Sequence, residues 1–125
     1  ARAPGTGGFV GTARALRDGI KAQPGACEAT TIGVVATNTP LAKSDAIKVA
    51  QMAQDGLARV ISPAHTMYDG DTVFATAPAG SATPMEVTRL GSMAADAIAL
   101  AVMDAVRHGE SVCGIPSARA LGAIG

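Results

Sequence analysis

Two short β-rich runs are separated by one stretch of helical periodicity and followed by a second. That alternation limits the chain to a mixed α/β arrangement before any single residue is weighed. The first run, TTIGVVAT at residues 30–37, is β-branched and apolar almost throughout, and Asn38 and Pro40 bound it. It reads as a buried strand. Gly33 inside it predicts close packing of another backbone.

Residues 43–60 then repeat apolar side chains at helical spacing. Ile47, Ala50, Ala53 (or Gln54), Leu57 and Val60 (or Ile61) share one face. Asp45 in the first turn and Arg59 in the last suit the helix dipole. Residues 62–71, SPAHTMYDGD, are a turn-rich loop, and TVFATAP at 72–78 is the second strand. Residues 84–108 predict a long helix. Thr83 is its N-cap, Pro84 its first residue, Glu86 completes a capping box, and Gly109 follows as the stop. Val87, Leu90, Ala94, Ala97, Ile98, Ala101 and Ala105 are its expected buried face, and residues 110–125 are mixed.

Residues 1–29 differ in kind. Five glycines and a proline fall within the first nineteen positions, so this stretch reads as a leader or linker with a short helical turn around Ala13–Arg17. The expected division is therefore a loose leader, 1–29, and an α/β segment, 30–125. Hydrophobic residues are 48% of the chain but aromatics only 2%, so the core must come from Ala, Val, Ile, Leu and Met. Two strands make a sheet that is marginal alone. The expectation is that further strands come from a missing N-terminal segment or another subunit.

Ten basic and ten acidic residues cancel, and no basic patch stands out. This argues against nucleic acid as a partner and mildly favours a homo-oligomer. The most apolar stretch, Met93–Val106, contains Asp96 and Asp104, which argues against a membrane span. Cys27 and Cys113 form no CxxC and have no histidine at zinc spacing. They read as free thiols in a reducing cytoplasm, with no metal expected. The first residue is Ala1, not Met, as expected of a fragment or processed product.

Two stretches carry a family resemblance: ATTIGVVATNTPLAK at 29–43 and ARVISPAHTMYDGDTVFA at 58–75. Together they resemble the self-processing L-aminopeptidase/D-esterase family, peptidase family S58, which includes the nylon-oligomer hydrolases. The resemblance spans about residues 29–108. It implies that the chain is the C-terminal, nucleophile-bearing part of such an enzyme. The implied fold is a β-α-β-α piece of a layered αββα-type sandwich.

In that family the precursor breaks just before a Ser or Thr, which then serves as nucleophile. The matching position is Thr30, with Thr31 the weaker choice, so the implied cleavage site is Ala29–Thr30. A threonine hydroxyl needs a base to take its proton. A free α-amino group, with a reference pKa of roughly 8, suits that task, whereas an amide nitrogen does not. By the same resemblance, Asp69 and Asp71 of the Asp-Gly-Asp loop orient the amine or hydroxyl of Thr30. As a plain turn, the same loop would merely precede the second strand.

Asn38 and Tyr68 are candidate substrate contacts. His65 is either a loop residue bonded to backbone, the commoner case, or a proton carrier or metal ligand, and His108 complements a helix end. Members of the family usually carry Asn or a similar polar residue just before the nucleophile, where this chain has Ala29. Their precursors also have a long preceding segment supplying strands, a lysine or tyrosine, and an oxyanion-stabilising asparagine. The expected activity is hydrolysis of an amide bond in a small peptide, peptide amide or amide oligomer, without cofactor. An acyltransferase similar to the ornithine acetyltransferases, and an unprocessed assembly module without activity, are the alternatives.

Overall fold

A computed structural model describes residues 11–19 and 30–123. Most of the expected leader, including Ala29 and Cys27, lies outside the described residues. The elements are α1 (Thr12–Arg17), β1 (Ile32–Ala36), α2 (Lys43–Val60), β2 (Thr72–Thr76) and α3 (Pro84–His108). The α/β class and the element order read from the sequence are those observed.

β1 and β2 pair in parallel, Ile32 opposite Thr72 through Ala36 opposite Thr76. Parallel strands require a crossover, and α2 is that crossover. Both strands are shorter than the β-rich runs, because the ladder extends only where the two strands face each other.

Alternation along the strands divides the sheet into two faces. Gly33, Val35, Val73 and Ala75 point toward the helices and are buried or half-buried. Ile32, Val34 and Phe74 point the other way and are 70%, 64% and 56% exposed. The core therefore lies on one side of the sheet, around Val49, Ala53, Leu57, Val73, Val87, Ala94 and Ile98. A side chain at Gly33 would sit 3.0 Å from Ile98 Cδ1, so what packs closely there is a side chain of α3 and not the expected second backbone.

α2 and α3 pack through small residues. A Cβ on Gly56 would lie 2.3 Å from the Ala95 carbonyl oxygen, and one on Gly91 would lie 2.3 Å from Met52 Sδ. These contacts advance together along both helices, so the helices run in the same direction. The buried face of α2 is Val49, Ala53, Gly56 and Leu57; Ala53 and Leu57 of the expected stripe are inside, while Ile47 and Ala50 give way to Val49 and Gly56. The position of Gly56 decides this, because α3 settles where a missing side chain lets its backbone in. Ile47 and Ala50 instead line a groove between α2 and β2.

α3 begins as its sequence predicts. Thr83 Oγ1 accepts the Glu86 N–H at 3.3 Å, and the Glu86 carboxylate accepts the Thr83 N–H at 2.7 Å. Val87, Gly91, Ala94, Ala95 and Ile98 are its buried residues. Ala97, Ala101 and Ala105, expected inside, are exposed. Ala97 lines a groove between β1 and α3, while Ala101 and Ala105 extend past the end of α2. Gly109 ends α3 with extended backbone, φ −60 and ψ 135, not the left-handed turn common at such stops. Its missing side chain matters sterically, since a Cβ there would be 2.9 Å from the Ala105 carbonyl oxygen.

Candidate active site

The site forms where the chain enters β1 and where the 61–71 loop leads into β2. Parallel pairing places these two entrances side by side, because Ile32 stands opposite Thr72. Extending that register by one residue brings Thr31 beside Asp71. The Thr31 N–H donates to Asp71 Oδ1 at 2.8 Å, and the Thr31 carbonyl accepts the Thr72 N–H at 2.9 Å. Both backbone groups of Thr31 are thereby held by consecutive residues of the opposite segment.

Thr30 is exposed at the head of this arrangement. Its hydroxyl lies against Gly70: a Cβ built on that glycine would be 2.8 Å from Thr30 Oγ1. Glycine is thus the residue that leaves room for the hydroxyl at the loop. The spacing Asp-Gly-Asp puts the backbone of the middle residue at Thr30 and the carboxylate of the next at Thr31.

The two aspartates have different surroundings. The Asp71 side chain is 6% exposed, and its second oxygen, Oδ2, faces His65 Nδ1 at 4.0 Å. Asp69 holds its own loop: Oδ2 accepts the Thr66 N–H at 2.7 Å, while the Asp69 N–H donates to the Thr66 carbonyl at 3.2 Å. Among the described residues, neither carboxylate hydrogen-bonds to Thr30 itself. From below, Gln54 Nε2 makes a long 3.5 Å contact with the Asp71 carbonyl oxygen.

The loop bends sharply. Ser62–Pro63 is a cis peptide, and His65 has left-handed backbone with φ 56. Beside it lies a groove of about 450 Å³ lined by Thr31, Asp69 and Asp71 on the polar side and by Leu16, Met67 and Tyr68 among its apolar residues. Tyr68, 67% exposed, is therefore a wall of the cavity that meets the acidic loop. Asn38 is elsewhere. It follows the far end of β1 and lines the groove between β1 and α3, eight residues from Thr30 and so up to about 26 Å away at the rise of an extended strand.

His108 Nδ1 lies 3.0 Å from the Asp104 carbonyl oxygen at the C-terminal end of α3, as suits a helix terminus. Cys113 is an exposed free cysteine. Among the described residues, no three His, Cys, Asp or Glu side chains converge as metal ligands would. No helix among them is long and apolar enough to cross a membrane.

The structure brings Thr30, Asp69 and Asp71, the residues singled out in the sequence, to one end of the sheet, together with two neighbours that sequence reasoning did not single out. Gly70 reads as a turn residue, and nothing in a single sequence says whose hydroxyl it makes room for. Thr66 gives no signal at all, because its part is played by a backbone N–H.

An exposed threonine hydroxyl at Gly70, a carboxylate clamped to the next amide and a mostly apolar groove alongside thus meet at one end of the sheet. Comparison with known proteins gives the family. The chain belongs to peptidase family S58, whose model matches residues 7–119. It is 48% identical over 101 residues to a protein of Mycobacterium leprae named an uncharacterized aminopeptidase, covering 70% of this chain and 28% of that protein. Proteins with the same description from Mycobacterium bovis and Mycobacterium tuberculosis are 44% identical over 103 residues, covering 72% of this chain and 30% of theirs. The chain thus spans less than a third of the length of these relatives. No solved structure matches.

Proposed function

We propose that this chain is the nucleophile-bearing part of an amide hydrolase that cuts its own backbone before Thr30. The observation that carries the reading is the placement of the Thr30 hydroxyl against Gly70 while Asp71 grips the next amide. In the precursor, Thr30 Oγ attacks the Ala29 carbonyl carbon. The Ala29–Thr30 C–N bond breaks, the nitrogen takes up the hydroxyl proton, and an ester links Ala29 to Oγ. Water then opens the ester, leaving a carboxylate on Ala29 and a free amine on Thr30.

In turnover the Thr30 amine takes the hydroxyl proton as Oγ attacks a substrate amide. The proton passes to the leaving amine, and water hydrolyses the acyl ester to regenerate the enzyme. The buried negative charge of Asp71, beside the amide of the following residue, favours a positively charged amine during the proton transfer. Substrates are short peptides, peptide amides or amide oligomers, with the acyl side chain received by the groove along Met67 and Tyr68. The names of the mycobacterial relatives support the aminopeptidase side of this reading.

The exposed face carrying Ile32, Val34 and Phe74 is the place for further structure. A layer from the rest of a longer protein, or from another subunit, would bury it and complete an αββα sandwich. The test is amide hydrolysis by the full-length protein and its Thr30 variants, using an amino-acid anilide as substrate. Thr30→Ser should retain turnover and Thr30→Ala should lose it. Full activity in Thr30→Ala would exclude Thr30 as the nucleophile.

A further inference from the structure

His65 stands at this site without a part in the reaction just described. Two independent features single it out. The first is its backbone, with φ 56, in a left-handed region that glycine accepts most readily and that, among residues with a side chain, asparagine, aspartate and histidine enter more often than the rest. Such outliers gather at functional sites, where the surrounding structure holds them in place. The second is where that backbone sends the ring: Nδ1 lies 4.0 Å from Asp71 Oδ2, while Asp71 Oδ1 takes the Thr31 N–H at 2.8 Å. One carboxylate thus sits between the imidazole and the amide next to the proposed nucleophile. With only 6% of its side chain exposed, the carboxylate has little access to water, whereas the ring is 43% exposed. A shift of roughly 1 Å brings ring and carboxylate into hydrogen-bond range.

We propose that His65 is a positioning residue: its Nδ1–H holds the Asp71 carboxylate in the orientation that grips Thr31, and so fixes the Thr30 hydroxyl. The consequence for rate rests on the Thr30 reading. The hold on Asp71 and Thr31 does not.

Two variants separate the ring from the backbone. His65→Gly accepts the left-handed conformation and carries no donor. His65→Asn also tolerates that conformation and places an amide N–H near the position of Nδ1. Both are made in the full-length protein, and two quantities are read: the NMR shift of the Thr31 amide proton, and kcat and KM on an amino-acid anilide. The expected result is that His65→Asn keeps the Thr31 shift and a kcat within about threefold of the parent. His65→Gly should move that signal toward weaker hydrogen bonding and lower kcat about tenfold or more, with KM within about twofold.

If His65→Gly matches His65→Asn in both quantities, the ring positions nothing and the proposal is overturned. Should Thr30→Ala turn over like the parent, the nucleophile reading fails instead, and the Thr31 signal alone still decides whether His65 holds Asp71.

Discussion

The amide of Thr31 and the carboxylate of Asp71, forty residues apart in sequence, are joined by a 2.8 Å hydrogen bond just before β1 and β2 begin to pair. This bond ties the candidate nucleophile's segment to the acidic loop. It also makes the geometry at Thr30 depend on a side chain from the other strand's entrance.

Removing the charge of Asp71 should therefore separate chemistry from architecture. Asp71→Asn keeps an oxygen acceptor for the Thr31 N–H but no negative charge, so its melting temperature should stay within a few degrees while kcat falls at least about tenfold. Asp71→Leu loses the acceptor as well and should destabilise the fold by about 1–3 kcal/mol, because a part-buried N–H is left unpaired. Thermal melts and steady-state kinetics on the same samples check both outcomes.

Gly70→Ala places a methyl group 2.8 Å from where Thr30 Oγ1 now stands. The hydroxyl must move, and a displacement near 1 Å can slow a positioned reaction about a hundredfold. Stability should change by less than about 1 kcal/mol, since Thr30 is exposed and free to yield. A kinetic loss without a thermal one is the expected signature, read by activity assay and calorimetry.

The helix pair offers a contrast that depends on packing alone. Alanine in place of a mid-helix glycine adds roughly 1 kcal/mol of helix propensity. At Gly56 the new methyl would meet the Ala95 carbonyl oxygen at 2.3 Å, and backbone cannot step aside cheaply. Gly56→Ala should lose about 1–3 kcal/mol net. At Gly91 the nearest atom is the flexible Met52 Sδ, so Gly91→Ala should lose less. Urea denaturation of the two variants gives the order directly.

Acid sensitivity should come in part from the start of α3. Hydrogen bonds from the Thr83 backbone and then its side chain hold the Glu86 carboxyl below its usual range. A carboxyl lowered on folding contributes stability that is complete above its unfolded pKa, about 4.3, and is lost as pH falls through the lower folded value. Glu86→Gln should lower the melting temperature slightly at neutral pH, flatten its loss over that acid interval, and converge with the parent below it. Melting curves from pH 7 to 3 test this.

The elements that announce themselves locally were legible in the sequence. Thr83, Pro84 and Glu86 specify the start of α3 by contacts within one turn, and the runs at 30–37 and 72–78 contain both strands. The aspartates were legible as a loop. Their division of labour was not, because Asp69 turns back to Thr66 while Asp71 reaches Thr31 across the sheet. The helix faces were legible only in part, through Ala53, Leu57, Val87, Ala94 and Ile98, for a related reason. Periodicity ranks side chains by their own hydrophobicity, but Gly56 and Gly91 are buried by virtue of what they lack. Ile47 and Ala97, apolar yet exposed, border grooves that open beside the two-stranded sheet.

N-terminal sequencing of purified, catalytically active full-length protein examines the nucleophile most directly. The account expects a polypeptide beginning Thr-Thr-Ile-Gly-Val, with Thr30 as its first residue, and a Thr30→Ala variant that stays in one piece. Active protein in which the bond ahead of Thr30 is still intact would contradict it.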